Sequence, residues 1–374
     1  MIYMDNAATT KVSEKVLKSM MPYLTDYYGN ASSIYSLGQK SRSAVENSRI
    51  KIADILKVKP SEIYFTSSGT EADNWAIKET VVNNKINHII SSQIEHPAVL
   101  NSLKYLKTKG HKIDLLNVDK YGFVDLDELK DKINNDTNLV SIMFANNEIG
   151  TIEPINDIAK ICDEKNVMFH TDAVQAFGNV KFFLDNPNIS MCSMSGHKIG
   201  APKGIGLLYI KDNVRINSLI SGGAQERDKR ASTENVASIV GLSIALEESY
   251  KNIDYNIEYT TNLRNYMLDK LLNIDGVILN GPIENRLPGN INISLINVKP
   301  QTMIQFLDMF DIYVSQGSAC AAGSIEPSYV LTSIGLDKDL ALSAIRISLN
   351  HNNTKEECDI VVDKIKEGIK KFSF

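Results

Sequence analysis

The sequence predicts an α/β protein: a large domain with a mostly parallel seven-stranded sheet covered by helices on both faces, plus a smaller α+β C-terminal domain. Three observations carry this. Short apolar runs alternate with helical stretches from Glu62 to Ile210, the rhythm of strand–helix–strand units. After about Tyr250 that rhythm gives way to longer helices and more widely spaced strands. Polar and charged residues also collect where strands should end, the edge at which open α/β sheets bind ligands.

In chain order, residues 1–10 read as an extended segment with a polar tip, Asp5-Asn6-Ala7-Ala8-Thr9-Thr10. Ser13 caps a helix running through Tyr23, and a Gly-, Asn- and Ser-rich loop, Tyr27–Leu37, precedes a long helix from Gln39 to Leu56. Strands are expected at Glu62–Thr66, His88–Ser92, Lys112–Asn117, Leu139–Phe144, Val167–Thr171, Ile189–Met194 and Ile205–Ile210. Helices Glu71–Thr80, Pro97–Lys109 and Ile155–Lys165 lie between them. Beyond these come a helix Tyr255–Leu272, strands Val277–Leu279 and Asn290–Leu295, a helix Gln301–Met309, a strand Ala344–Ser348 and a final helix opened by the capping box Thr354/Glu357. The domains expected are 14–255 and, for the smaller one, 1–13 joined with 256–374.

Composition narrows the function. With 43% hydrophobic and 23% charged residues the chain can bury a full core. A net charge of −5 gives no electrostatic reason to expect nucleic acid. No apolar run approaches a membrane span and no leader pattern opens the chain, so the expectation is a cytoplasmic protein with no membrane partner.

The cysteines show no metal-ligand spacing. Cys162 falls on a helical stripe with Ile155, Ile158 and Ala159, Cys192 lies in a strand, and Cys358 shares an apolar helix face with Val361, Val362 and Ile365; all three read as core. Cys320 stands in SQGSACAAGS, where no large side chain can cover it. It is either an accessible reactive thiol or an incidental loop residue.

The expected strand tips carry the chemistry. Asp172 and, three residues on, Gln175 follow one strand; Ser195, His197 and Lys198 follow another. A lysine and a carboxylate so placed suit pyridoxal phosphate, the amine forming a Schiff base and the acid pairing with the pyridinium nitrogen. The plainer alternative is a surface ion pair. Thr66-Ser67-Ser68-Gly69-Thr70-Glu71 joins a strand to a helix and offers a phosphate cradle, or simply a well-capped turn. Glu95-His96-Pro97 places an imidazole at a third tip, able to stack on an aromatic cofactor and exchange protons, or merely to cap a helix. Asn146-Asn147-Glu148 adds amides at a fourth. A nicotinamide site would need GxGxxG, which is absent.

Taken together, DNAATT, TSSGTEADN, NNEIGT, HTDAVQA, SGHKIGAPKGIG, GGAQER, TENV, GSAC and EPSYVL resemble the cysteine desulfurases of the NifS/IscS type, within the class V aminotransferases and the fold type I pyridoxal-phosphate architecture. The resemblance spans nearly the whole chain. It implies that Lys198 is the Schiff-base lysine, that Asp172 holds the pyridine nitrogen, Gln175 the ring hydroxyl, and that His96 stacks on the ring. It implies phosphate contacts from Gly69, Thr70, Ser195 and His197, joined by Thr233 of the other subunit of a homodimer. Asn147 would sit beside ring and substrate, and Arg346 would grip the substrate carboxylate, although the residue alone also reads as a surface-strand charge. Cys320 would take sulfur from L-cysteine as a persulfide, leaving L-alanine, and pass it to an acceptor such as an iron–sulfur scaffold protein. The family also allows Cys320 as a transient iron–sulfur ligand, though one cysteine closes no cluster site. Selenocysteine lyase and aminotransferase are the alternatives on this fold.

Several positions depart from the family's usual pattern, among them Asn350 and His351, where many relatives read Gly and Arg. Ala31 and Tyr35 stand where Pro and His are common, and Ala224 and Ser232 where glycine is.

Overall fold

A computed structural model describes residues 1–80, 87–316 and 326–373. Its strands are β1 (Ile2–Tyr3), β2 (Ile63–Thr66), β3 (His88–Ser92), β4 (Lys112–Leu116), β5 (Thr137–Ser141), β6 (Met168–Asp172), β7 (Met191–Ser195), β8 (Gly206–Ile210), β9 (Val277–Leu279), β10 (Asn290–Leu295), β11 (Ile312–Tyr313) and β12 (Ala344–Ser348). Seven of them form one sheet in the order β2-β8-β7-β6-β5-β3-β4. Only β8 runs against its neighbours, so the rest all point one way.

Period-two alternation explains why both faces are covered. Ile89, Leu139, Met168, Met191 and Leu208 turn toward a core shared with Ala72, Trp75, Val99 and Leu103, from helices Gly69–Lys78 and Pro97–Thr108. Their next-door residues Ile90, Val140, Phe169, Cys192 and Leu207 turn the other way. They meet helices Glu14–Thr25, Ser36–Leu56, Ile155–Glu164 and Val236–Lys251. Trp75 is fully buried and its indole N–H donates to the Asn217 carbonyl at 2.8 Å, so its large apolar area is gained without an orphaned donor.

A separate core gathers Met4 with Leu263, Met267, Ile291, Ile293, Ile345, Ile347, Val361 and Ile365. It lies around the antiparallel sheet β12-β10-β9 and helices Ile253–Leu272, Pro300–Asp308 and Lys355–Phe372. The chain start is stitched into this unit: β1 pairs in parallel with β11, and Asp5 bridges to Ser348.

Ser13 caps its helix through the Val16 N–H, and Thr354 with Glu357 closes a capping box. The sequence reading missed Val236–Lys251, a helix buried around much of its circumference (Ala237, Ile239, Leu242, Ala245, Leu246), which therefore shows no apolar stripe to read. The strand expected at Leu139–Phe144 lies earlier, at Thr137–Ser141. Ile142 and Phe144 still donate N–H bonds to His170 and Asp172 beyond it.

Candidate active site

Because β2, β3, β5, β6 and β7 all point the same way, their ends share one edge. Asp172 closes β6 and Ser195 closes β7, and a tight turn, Gly196–Lys198, brings the lysine straight back over that edge. His96 follows β3, Asn147 follows β5, and Gly69 opens the helix after β2.

Asp172 is buried, and its Oδ1 accepts the Val174 N–H at 2.9 Å. Burial pushes its carboxyl above the usual range; His96, that N–H and Lys198 pull it back. One carboxylate oxygen of Asp172, one of Asp73 and a ring nitrogen of His96 lie within 4.8 Å of one another. Two acids and an imidazole this close in a dry site are costly unless a ligand or a shared proton balances them.

His96 does both things its sequence context allows. Its Nδ1 accepts the Ala98 N–H at 3.1 Å and so caps helix Pro97–Thr108. The neutral ring therefore carries its proton on Nε2. Burial lowers its pKa, opposed by Asp172 and assisted by Lys198. Lys198 reaches the chain start: its Nζ donates to the carbonyls of Ala7 at 2.6 Å and Ala8 at 2.8 Å. Gln175 Nε2 donates to the same Ala7 oxygen at 3.0 Å. A cavity of about 720 Å³ opens beside Lys198 and Gln175.

Gly69 starts helix Gly69–Lys78, whose Ser68 cap accepts the Glu71 N–H. A Cβ on Gly69 would fall 2.6 Å from Val174 Cγ2 and 3.4 Å from the Ser195 Cβ. Glycine is required by that close approach, and it leaves the helix-start N–H groups of Gly69 and Thr70 beside Ser195, an anion cradle. His197 joins from the turn, its Nδ1 3.2 Å from the Thr9 hydroxyl; burial first, then Lys198 and Lys203, hold its pKa down to about 4.

Arg346 lies in β12 and is 1% exposed, which removes the surface-charge reading. Its guanidinium donates to the Asn147 carbonyl and to Asp5 Oδ1, each at 2.9 Å. Asn147 thus meets Arg346 through its backbone, beside Glu148, whose buried carboxylate accepts the Ser328 hydroxyl at 2.6 Å. Tyr329 donates to the Glu95 carbonyl at 2.6 Å.

The edge therefore gathers Gly69, Thr70, His96, Asn147, Asp172, Gln175, Ser195, His197 and Lys198, with Arg346 arriving from the smaller sheet. Thr233 is exposed. It follows Ser232, whose φ of +136° is a conformation glycine adopts more easily. Cys320 lies outside the described residues. Cys162, Cys192 and Cys358 are buried as expected, and burial pushes the thiols of Cys162 and Cys358 up to about 12. Sequence reasoning missed Asp5, the Ala7 and Ala8 carbonyls and Asp73. The motifs DNAATT and TEADN contain all four residues, but nothing local says what they touch.

An acid, an amine, an imidazole and an anion cradle on the carboxyl edge of such a sheet define a cofactor-dependent enzyme of amino-acid chemistry, and the chain belongs to the class V aminotransferase family, whose sequence profile matches residues 2–361. It is 47% identical to the protein named cysteine desulfurase IscS of Clostridium botulinum (strain Hall), over 99% of this chain and 94% of that one. Among solved structures it resembles a NifS-like protein, with a TM-score of 0.94 and 39% identity over 99% of both chains. Another, SspA in complex with cysteine, has a TM-score of 0.84 and 36% identity, covering 93% of this chain and 99% of that one.

Proposed function

We propose that this chain is a cysteine desulfurase that uses pyridoxal 5'-phosphate to convert L-cysteine to L-alanine and moves the sulfur onto Cys320 as a persulfide. The observation that carries the reading is the meeting of Lys198 and Asp172 at one sheet edge, each within the other's electrostatic reach, beside the glycine-opened helix start. The residues fit the cofactor. Gly69, Thr70, Ser195 and His197 supply N–H and side-chain donors for a phosphate, and the buried carboxylate of Asp172 suits a protonated ring nitrogen. Gln175 can reach a ring hydroxyl, and Thr233 would add a phosphate contact from a second copy in a homodimer. When bound, pyridoxal phosphate supplies an electron sink for the Cα–H bonding pair of an amino acid.

The chain's own groups do the rest. Lys198 would hold the cofactor through its amine and, once released, carry the Cα proton on Nζ; the Ala7 and Ala8 carbonyls give that ammonium a defined seat. Arg346, fixed by Asp5 and Asn147, would orient the substrate carboxylate. With Nδ1 capping the helix, His96 carries its proton on Nε2 and can donate, not accept, a proton from that nitrogen. The Cys320 thiolate would attack the substrate sulfur, forming an S–S bond as the Cβ–S bond breaks, for delivery to iron–sulfur assembly or another sulfur-transfer route.

Incubation with L-cysteine followed by mass spectrometry should find one added sulfur atom on Cys320 and an equivalent of alanine. Lys198→Ala should lower alanine formation by on the order of 10³-fold or more. A Cys320→Ala variant that retained full activity would overturn the desulfurase reading in favour of transamination.

A further inference from the structure

We propose that Asp73 is a positioning residue that carries the proton of the buried Asp73–Asp172 pair and so keeps Asp172 anionic toward the cofactor's ring nitrogen. The proposal rests on the cofactor reading above and adds to it a group that touches neither substrate nor cofactor.

Asp73 sits in helix Gly69–Lys78, one turn after the phosphate cradle, on the face that packs against β6 and β7. It is 1% exposed and its Oδ1 has no hydrogen-bond partner. The nearest basic group is His170, with Nε2 at 3.8 Å, but that imidazole is already engaged by Ser193 through Nε2 and by Ser141 through Nδ1, each at 2.9 Å. Burial holds His170 down to about 3, so it is neutral and offers Asp73 no counter-charge. The other ionisable groups around Asp73 are Asp172 on β6, Glu95 at the end of β3, Cys192 on β7 and His96, whose ring nitrogen lies within 4.8 Å of an Asp73 oxygen and whose pKa burial lowers. Asp172 is better supplied: it has the Val174 N–H and lies in the field of Lys198 and His96.

Two buried carboxyls this close do not both ionise. Each acid has one donor, the Ser193 hydroxyl for Asp73 and the Val174 N–H for Asp172, but the field of Lys198 acts on Asp172, so the proton settles on Asp73 and the charge stays on Asp172. Burial and the Asp172 charge both act in that direction, raising Asp73 well above the ordinary range. A protonated Asp73 then leaves a single negative charge in the pair, on the Asp172 carboxylate, one oxygen of which lies within 4.8 Å of an Asp73 oxygen. It helps hold that carboxylate in the ionised form that a ring N–H requires. An ordinary structural acid would need no such proton.

Infrared difference spectra at neutral pH between the wild-type holoenzyme and Asp73→Asn provide the first test. They should show a protonated-carboxyl C=O band that the variant lacks and that shifts on hydrogen–deuterium exchange; identical spectra would overturn the proposal. With a ¹⁵N-labelled cofactor ring, Asp73→Asn should retain the protonated ring nitrogen, because its neutral amide, like the protonated acid, adds no second negative charge beside Asp172. Asp73→Leu, equally uncharged, should keep that protonation too. A ring nitrogen that loses its proton in Asp73→Asn would also overturn it, and if Asp73→Leu fails to fold, the infrared comparison and the Asn variant decide. Asp172→Asn separates the two readings. If it leaves the ring nitrogen protonated, the role given to Asp172 fails, whereas the infrared band, recorded also on cofactor-free protein, reports Asp73 alone.

Discussion

Two buried polar regions of this molecule obey opposite rules. Beneath β2, Arg49 and Glu226 form a closed pair: the guanidinium donates to both Glu226 oxygens and to the Ile63 carbonyl at 2.8 Å, and Glu226 also accepts the Phe65 N–H at 3.0 Å. At the carboxyl edge of the same sheet, the acids are incompletely matched. Asp73 Oδ1 and Glu95 Oε2 have no partner, and Asp172 is held above its ordinary range by burial. Matched burial fixes architecture, here a turn in which Glu226, Arg227 and Asp228 all adopt positive φ. Unmatched burial is a standing cost, tolerated where a ligand or a moving proton will balance it.

The contrast can be broken by substitution. Arg49→Ala should cost the most stability, about 3–5 kcal/mol in chemical denaturation, because it strands a buried carboxylate. A loss under about 1 kcal/mol would show that the pair is not the clamp described here. Glu95→Gln should cost little and change the pH dependence instead. Burial, resisted by the Ser92 hydroxyl and the Met143 N–H, raises the Glu95 carboxyl to about 8. The folded protein therefore binds a proton there that the unfolded chain releases near pH 4. Its stability contribution is greatest below that value and falls as pH rises to about 8, so the variant should be flatter than wild type across this window by about 5 kcal/mol at most. Parallel pH–stability curves would refute the assignment. The smallest effect is expected from Ser232→Gly, which relieves a φ of +136° and should stabilise by about 1 kcal/mol in thermal melts.

What the sequence disclosed follows from the range of the interactions. Strands β3, β9, β10 and β12 match their expected bounds because their signal is local, an apolar run between polar breaks. The edge residues Asp172, Lys198 and His96 were legible because topology alone brings strand ends together. Arg346 was legible only through resemblance: its partner Asp5 stands 341 positions away, and no periodicity encodes that contact. Asp73 stayed hidden for a related reason. On its helix it reads as one more polar residue, and only the packing of that helix on β6 and β7 turns it into a buried acid. Cys320, the residue on which the proposed sulfur transfer depends, lies outside the described residues.

The chain start has a consequence for biosynthesis. Ile2 and Tyr3 pair with residues 312 and 313, Asp5 binds Arg346, and the Ala7 and Ala8 carbonyls seat the amine of Lys198. These first eight residues are translated long before residues 312, 313 and 346, which anchor them. The seven-stranded sheet can assemble while translation proceeds, but the lysine's seat closes only after residue 346 has emerged. A product that stops short of residue 346 would carry the lysine without the contacts that steady its seat.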